Sequence, residues 1–111
     1  MPFDEDLAQR IRALVGTEAG VTEKKMFGGL AFLVGGNMAV AASGRGGILV
    51  RVGPEHADRL VSTTRASVAV MGRRPMRGWL RVGAEDVGTK RQLAKWVDLG
   101  VDFARALPAK G

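Results

Sequence analysis

Six basic side chains fall within nineteen residues: Arg73, Arg74, Arg77, Arg81, Lys90 and Arg91, with only Glu85 and Asp86 among them to offset the charge. Guanidinium and ammonium groups at this density suit an anionic partner, above all a row of phosphates. Trp79 stands inside the run. If 77–82 is a strand, Arg77, Trp79 and Arg81 share one face, with Leu80 and Val82 on the other. Such a face can meet phosphates through its arginines while the indole stacks on a base. The same residues also describe a solvated strand face, with the arginines lying over Trp79 by cation–π contact. They describe a protein-contact surface equally well.

Other residues with chemical potential fall short of a site. Gly83-Ala84-Glu85-Asp86-Val87-Gly88-Thr89-Lys90 approaches a phosphate-binding loop, but Thr89 and Lys90 are transposed relative to G-x4-G-K-[ST]. Glu85 and Asp86 would also sit where phosphates must go. Capping of the following helix by Thr89 is the expected use. His56 is the one histidine, flanked by Glu55 and Asp58 in the first turn of a short helix, and it reads as a surface residue. Ser43, Ser62 and Ser67 lack a nucleophile-elbow context. Asp98 and Asp102, one helical turn apart between Lys95 and Arg105, read as solvated helix charges. There is no cysteine, which excludes disulfides, thiolate catalysis and thiolate metal sites. An enzyme built from this chain would have to work with backbone amides, arginines or lysines. The expectation is therefore a non-catalytic protein with no catalytic residues, no metal and no cofactor.

The elements that position these residues are readable from periodicity. A first helix spans 4–15, capped by Asp4 and carried by Leu7, Ile11, Leu14 and Val15 on one stripe. Strands are expected at 30–34, 38–42 and 48–52, where Leu30, Phe32 and Val34, and then Ile48, Val50 and Val52, share a face. Pro54 opens a short second helix with Ala57, Leu60 and Val61. A fourth strand at 68–71 leads through a turn at 72–75 to a fifth near 77–82. The last helix covers 89–107, with Leu93, Trp96, Val97, Val101, Ala104 and Leu107 in line. Gly100 inside it marks a close backbone approach. This order predicts one α+β domain over residues 1–111. It has two layers: an antiparallel sheet of about five strands, with N-terminal, middle and C-terminal helices packed mainly on one face.

Length and charge agree with a small basic domain. The chain has 111 residues and a net charge of +6; residues 1–23 carry −3 and the rest +9. A basic surface draws anionic partners and also keeps a small protein dissolved. Nineteen residues between Lys25 and Arg45 carry no charge, the length of a membrane span. Five of them are glycines, however, and Gly35-Gly36-Asn37 divides the stretch, so a hairpin accounts for it better. The acidic start contains neither the basic residues nor the apolar run of a signal peptide, so the expected compartment is the cytoplasm, away from membranes. A homodimer through an uncovered sheet face or an edge strand is compatible with this layout.

Met26-Phe27-Gly28-Gly29-Leu30-Ala31-Phe32 is followed by Asn37-Met38 and then by Gly72-Arg73-Arg74-Pro75-Met76, with Trp79 soon after. Together with the closing helix around Leu93 and Trp96, this combination resembles the TfoX N-terminal-domain family over roughly residues 8–107. The resemblance implies a small two-layer α+β domain. It also implies a role in regulation: the name-giving members promote expression of DNA-uptake genes, working with a cyclic-AMP receptor protein at promoters. Those members resemble this chain in their first half, and a second domain follows there. The family brings no catalytic set to transfer. Met26, Phe27, Gly28, Gly29, Pro75 and Met76 match its motif and read as fold determinants, Met26 and Phe27 in the core and the two glycines at a bulge or close approach. The expected function is a regulatory or adaptor domain with a protein partner, such as a transcription factor. Direct nucleic-acid binding through the 73–91 basic run is the alternative.

Overall fold

The computed structural model describes residues 4–16, 19–26, 28–44, 46–71 and 73–108, with the backbone alone at Met26 and Met71. Helix α1 is Glu5–Val15, and the Leu7 N–H donates to the side chain of Asp4, its cap. Four strands follow: β1 Val21–Met26, β2 Gly29–Val34, β3 Asn37–Ala42 and β4 Ile48–Arg51. Helix α2 is Pro54–Thr63, with proline in the first turn, where a missing N–H costs nothing. Strands β5 Ser67–Met71 and β6 Arg74–Val82 form a hairpin, a single 3-10 turn spans Ala84–Asp86, and α3 Lys90–Ala106 closes the chain.

The sheet is antiparallel with order β1-β2-β3-β4-β6-β5, six strands rather than about five. The additional strand is β1. Its sequence, VTEKKM, carries no apolar alternation, because Thr22, Glu23, Lys24 and Lys25 are all exposed. The ladder to β2 holds it, from Val21 opposite Val34 to Met26 opposite Gly29. A bidentate pair between Arg12 of α1 and Glu23 ties it to the first helix. The turn into β6 is also tighter than 72–75: Met71 pairs with Arg74, so Arg74 and Pro75 already belong to the strand.

One large core lies between the sheet and the helices. Leu30, Phe32, Val40, Ile48, Val50, Leu80 and Val82 meet Leu7 and Ile11 of α1, Ala57 of α2 and Leu93, Trp96, Val97 and Val101 of α3. All three helices contribute to this cluster, so they cover one face, as expected. Each fully buried Phe or Ile here stabilises the fold by about 1.5–3 kcal/mol. A Cβ placed on Gly100 would stand 2.4 Å from the Ala39 carbonyl oxygen, which is the close approach of α3 to β3. Within the uncharged stretch β2 and β3 form a hairpin; Val34 pairs with Asn37, leaving Gly35 and Gly36 as its two-residue turn. No helix among the described residues is long and apolar enough to cross a membrane.

The opposite sheet face carries a second cluster made only of strand residues. Ala31, Met38, Ala41, Leu49 and Ala69 are buried, with Leu33, Met76 and Trp79 half-buried around them. No helix residue joins it.

Candidate functional site

Strand β6 organises the candidate surface. It runs between β4 and β5, with Arg81 opposite Leu49 on one side and Ser67 on the other. Leu80 and Val82 enter the main core, while Trp79 belongs to the helix-free face and half-buried Arg81 lies among the strand residues there. The alternation expected for these four residues holds.

Arg77 departs from it. Val68 pairs with Leu80, yet Ala69 pairs with Met76, so Arg77, Gly78 and Trp79 form a three-residue bulge on β6. Gly78 has φ +90°, and its carbonyl accepts from both the Val52 N–H at 2.9 Å and the Gly53 N–H at 3.1 Å. A Cβ at Gly78 would lie 3.1 Å from Gly53 C and Pro54 N, so only glycine lets the bulge dock against the junction of β4 and α2. The bulge turns Arg77 toward α2, where its Nη2 lies 3.9 Å from Asp58 Oδ2, both side chains largely in water. Arg77 therefore does not share the face of Trp79 and Arg81. It borders a groove of about 430 Å³ lined also by Val52, Gly53, Pro54, His56 and Phe103.

Trp79 has a cationic neighbour, and that neighbour is Arg51. The register sets Arg51 opposite Trp79, and its guanidinium lies 5.2 Å from the Trp79 ring and 5.3 Å from that of Phe103 on α3. By strand alternation Arg51 lies opposite the Ile48–Val50–Val52 face, and nothing local in the sequence pairs it with Trp79. The missing information was that β4 pairs with β6, a contact between distant parts of the chain.

The six basic residues do not form one patch. Arg73 and Arg74 are exposed at the tip of the β5–β6 hairpin. Lys90 and Arg91 are exposed in the first turn of α3, beyond the other end of β6. A strand of nine residues at about 3.3 Å per residue separates the two groups. Lys90 and Arg91 stand at the positive end of the α3 dipole, where cations are disfavoured. Glu85 and Asp86 just ahead of them supply the opposite charge, and Asp86 Oδ1 accepts from Arg65 Nε at 3.0 Å. Residues 83–90 hold no phosphate cradle: the Gln92 N–H donates to the Thr89 hydroxyl and the Thr89 N–H donates back to Gln92 Oε1, a reciprocal helix cap.

The glycine motif is structural. Gly28, with φ +72°, sits in the turn between β1 and β2 rather than in a bulge. A Cβ at Gly29 would fall 2.0 Å from the Ala42 carbonyl oxygen, which is a close approach of β2 to the end of β3. Asn37, buried, donates through Nδ2 to the Pro108 carbonyl at 2.9 Å and ties the segment just after α3 to β3. Pro75 is exposed and Met76 borders the second cluster. The side chain of Met26, together with Phe27, Arg45 and Gly72, lies outside the described residues. His56 is exposed on α2, and among the described residues no three His, Asp or Glu side chains gather as a metal site would require.

Residues 13–104 match the family model described as TfoX N-terminal domain, and the chain belongs to that family. No curated protein and no solved structure matches it.

Proposed function

We propose that this member of the TfoX N-terminal domain family is a non-catalytic regulatory or adaptor domain that acts through protein–protein contacts in transcriptional regulation. The observation that supports this reading is the helix-free sheet face. Leu33, Met76 and Trp79 stand around a floor of alanines, with Arg81 in the same face and Arg73 and Arg74 at its end. An apolar, aromatic centre with arginines about it has the composition of a protein contact. The family supplies the regulatory setting: its name-giving members act with a cyclic-AMP receptor protein at promoters.

Direct nucleic-acid binding is the second reading, favoured by Arg73, Arg74 and Arg81 together with the net charge of +6. One face of Trp79 already carries Arg51, which leaves less of the indole for a base.

Two measurements separate them. A labelled mixed-sequence DNA duplex is titrated by fluorescence anisotropy between about 50 and 200 mM salt; three phosphate contacts predict a log–log slope near −2.7. Binding with that slope, lost in an Arg74→Ala/Arg81→Ala double variant, supports the nucleic-acid reading. Calorimetric titration into purified cyclic-AMP receptor protein and into RNA polymerase tests the first reading. Binding that Leu33→Glu abolishes, with an unchanged circular dichroism spectrum, supports it. Binding to neither protein, or binding indifferent to every substitution on this face, overturns it.

A further inference from the structure

The two edges of the sheet differ in chemistry. The β1 edge presents Glu23, Lys24 and Lys25, all exposed, and charged side chains on an edge discourage another strand from pairing there. The β5 edge, Ser67–Met71, carries no charge at all and, among the described residues, has no strand beyond it. The two exposed large apolar side chains among the described residues are Val70, 49 % exposed, on β5 itself, and Val61, 38 % exposed, on α2, the helix that packs on β6 and β5. Val68 packs toward the main core while Ala69 belongs to the opposite cluster. Strand alternation therefore puts Val70 on the same side as α2 and Val61.

The backbone along this edge is open as well. Antiparallel pairs alternate between bonded and non-bonded, and Pro75, which has no N–H to give, fits only a non-bonded pair with its partner Val70. Val70 then directs its N–H and C=O away from β6. The missing N–H of Pro75 points away from β5, so no ladder bond is lost there.

Arginines mark both ends of the edge. Arg65 precedes β5 with its side chain 73 % exposed even while it pairs with Asp86, and Arg73 and Arg74 follow it, both exposed. This arrangement opposes self-pairing. An antiparallel second copy centred on Ala69 would set Arg65 of each chain against Arg73 of the other, and like charges directly opposite destabilise a strand pair.

We propose that the outer edge of β5 is a strand-addition site for an extended, acidic segment of a partner protein. The segment pairs with the free backbone groups at Val70, lays alternate apolar residues against Val61 and Val70, and carries carboxylates that meet Arg73, Arg74 and Arg65. This inference rests on the protein-contact reading above and adds to the helix-free face a second contact, at the sheet edge, with a stated partner chemistry.

The test uses the full chain and two synthetic nine-residue peptides with alternating valine and threonine centres. One has paired glutamates at each end and the other paired lysines. Amide hydrogen exchange is followed by NMR with peptide at up to about 1 mM, a concentration that detects weak complexes. The expected result is protection of the Val70 amide by the glutamate peptide alone, with exchange slowed about tenfold at saturation. Val70→Pro removes the outward N–H without touching a bond to β6 and is expected to abolish binding; Arg73→Glu is expected to weaken it about tenfold. No protection by the glutamate peptide, or equal protection by the lysine peptide, overturns the proposal. Protection of Val70 that rises with protein concentration and needs no peptide replaces the acidic segment with a second copy and also overturns it. If the edge fails while Leu33→Glu still breaks binding to the regulator or the polymerase, only the edge proposal falls; if both fail, the protein-contact reading falls with it.

Discussion

Arg51 lies over the ring of Trp79, its guanidinium carbon 5.2 Å from the centroid, and a third partner, Phe103, closes the stack at 5.3 Å. The contact joins β4, β6 and α3 beside the Gly78 bulge. A partly exposed cation–π contact stabilises by about 0.5–1 kcal/mol per ring. Arg51→Met keeps an unbranched stem and loses the charge, and is expected to lower unfolding stability by about 1 kcal/mol. Urea unfolding followed by far-ultraviolet circular dichroism measures this. A double-mutant cycle with Trp79→Leu isolates the pair, and zero coupling energy would show that the stacking contributes nothing.

Gly100→Ala sets two effects against each other. Helix propensity alone favours alanine by about 1 kcal/mol. The added Cβ, however, would lie 2.4 Å from the Ala39 carbonyl oxygen and 2.9 Å from Val50 Cγ2. Ala39 is the residue that both ladders of β3 skip, a bulge buried under α3, so relieving the clash means shifting that bulge or lifting α3, an overpacking cost of about 1–3 kcal/mol. The steric cost wins, and the variant is expected to unfold at lower urea than the parent. A stabilised variant would mean that α3 is free to slide over β3.

The helices and the central hairpin were legible because their signals are local. Asp4, Pro54 and Thr89 each mark a helix start through chemistry that acts within one turn. The divided glycine stretch around Gly35 needs only its neighbours to turn. What stayed hidden depends on contacts across the chain. β1 is an edge strand with Glu23, Lys24 and Lys25 in water, so it has no apolar alternation to read. The insertion of β6 between β4 and β5 decides that Trp79 meets Arg51, residues 28 positions apart. The bulge that turns Arg77 toward Asp58 rests on a carbonyl shared by Val52 and Gly53. Arg73 and Arg91 are close in sequence and far apart in space because an extended strand, not a loop, runs between them.

Thr89 and Gln92 cap α3 reciprocally, satisfying two N–H groups at the start of the longest helix. Thr89→Ala removes the hydroxyl acceptor and is expected to cost about 1 kcal/mol, while Thr89→Gly is expected to cost only about a few tenths of a kcal/mol. The comparison matters because Lys90 and Arg91 already oppose the dipole there. Thermal unfolding of the two variants measures the difference. Equal loss in both would assign the whole effect to the missing hydroxyl and overturn the expectation that a glycine backbone compensates for it.

Glu23 pairs with Arg12 through both carboxylate oxygens, and this hydrogen-bonded pairing with Arg12 holds the Glu23 carboxyl below its ordinary range. A carboxylate whose pKa falls on folding stabilises the native state above its unfolded pKa, and the contribution fades as pH drops through the folded value. The affected window therefore opens at the ordinary glutamate range and extends below it. Both side chains are well exposed, so the contribution is small and weakened by salt. Glu23→Gln is expected to be less stable than the parent at neutral pH and low salt. That gap should close as pH falls below the ordinary glutamate range, and should also narrow at about 1 M salt, where the screening length is about 3 Å. Urea midpoints of parent and variant across this pH range test it. A gap that persists at the acid end would assign the difference to packing of the Glu23 stem along β1 rather than to its charge.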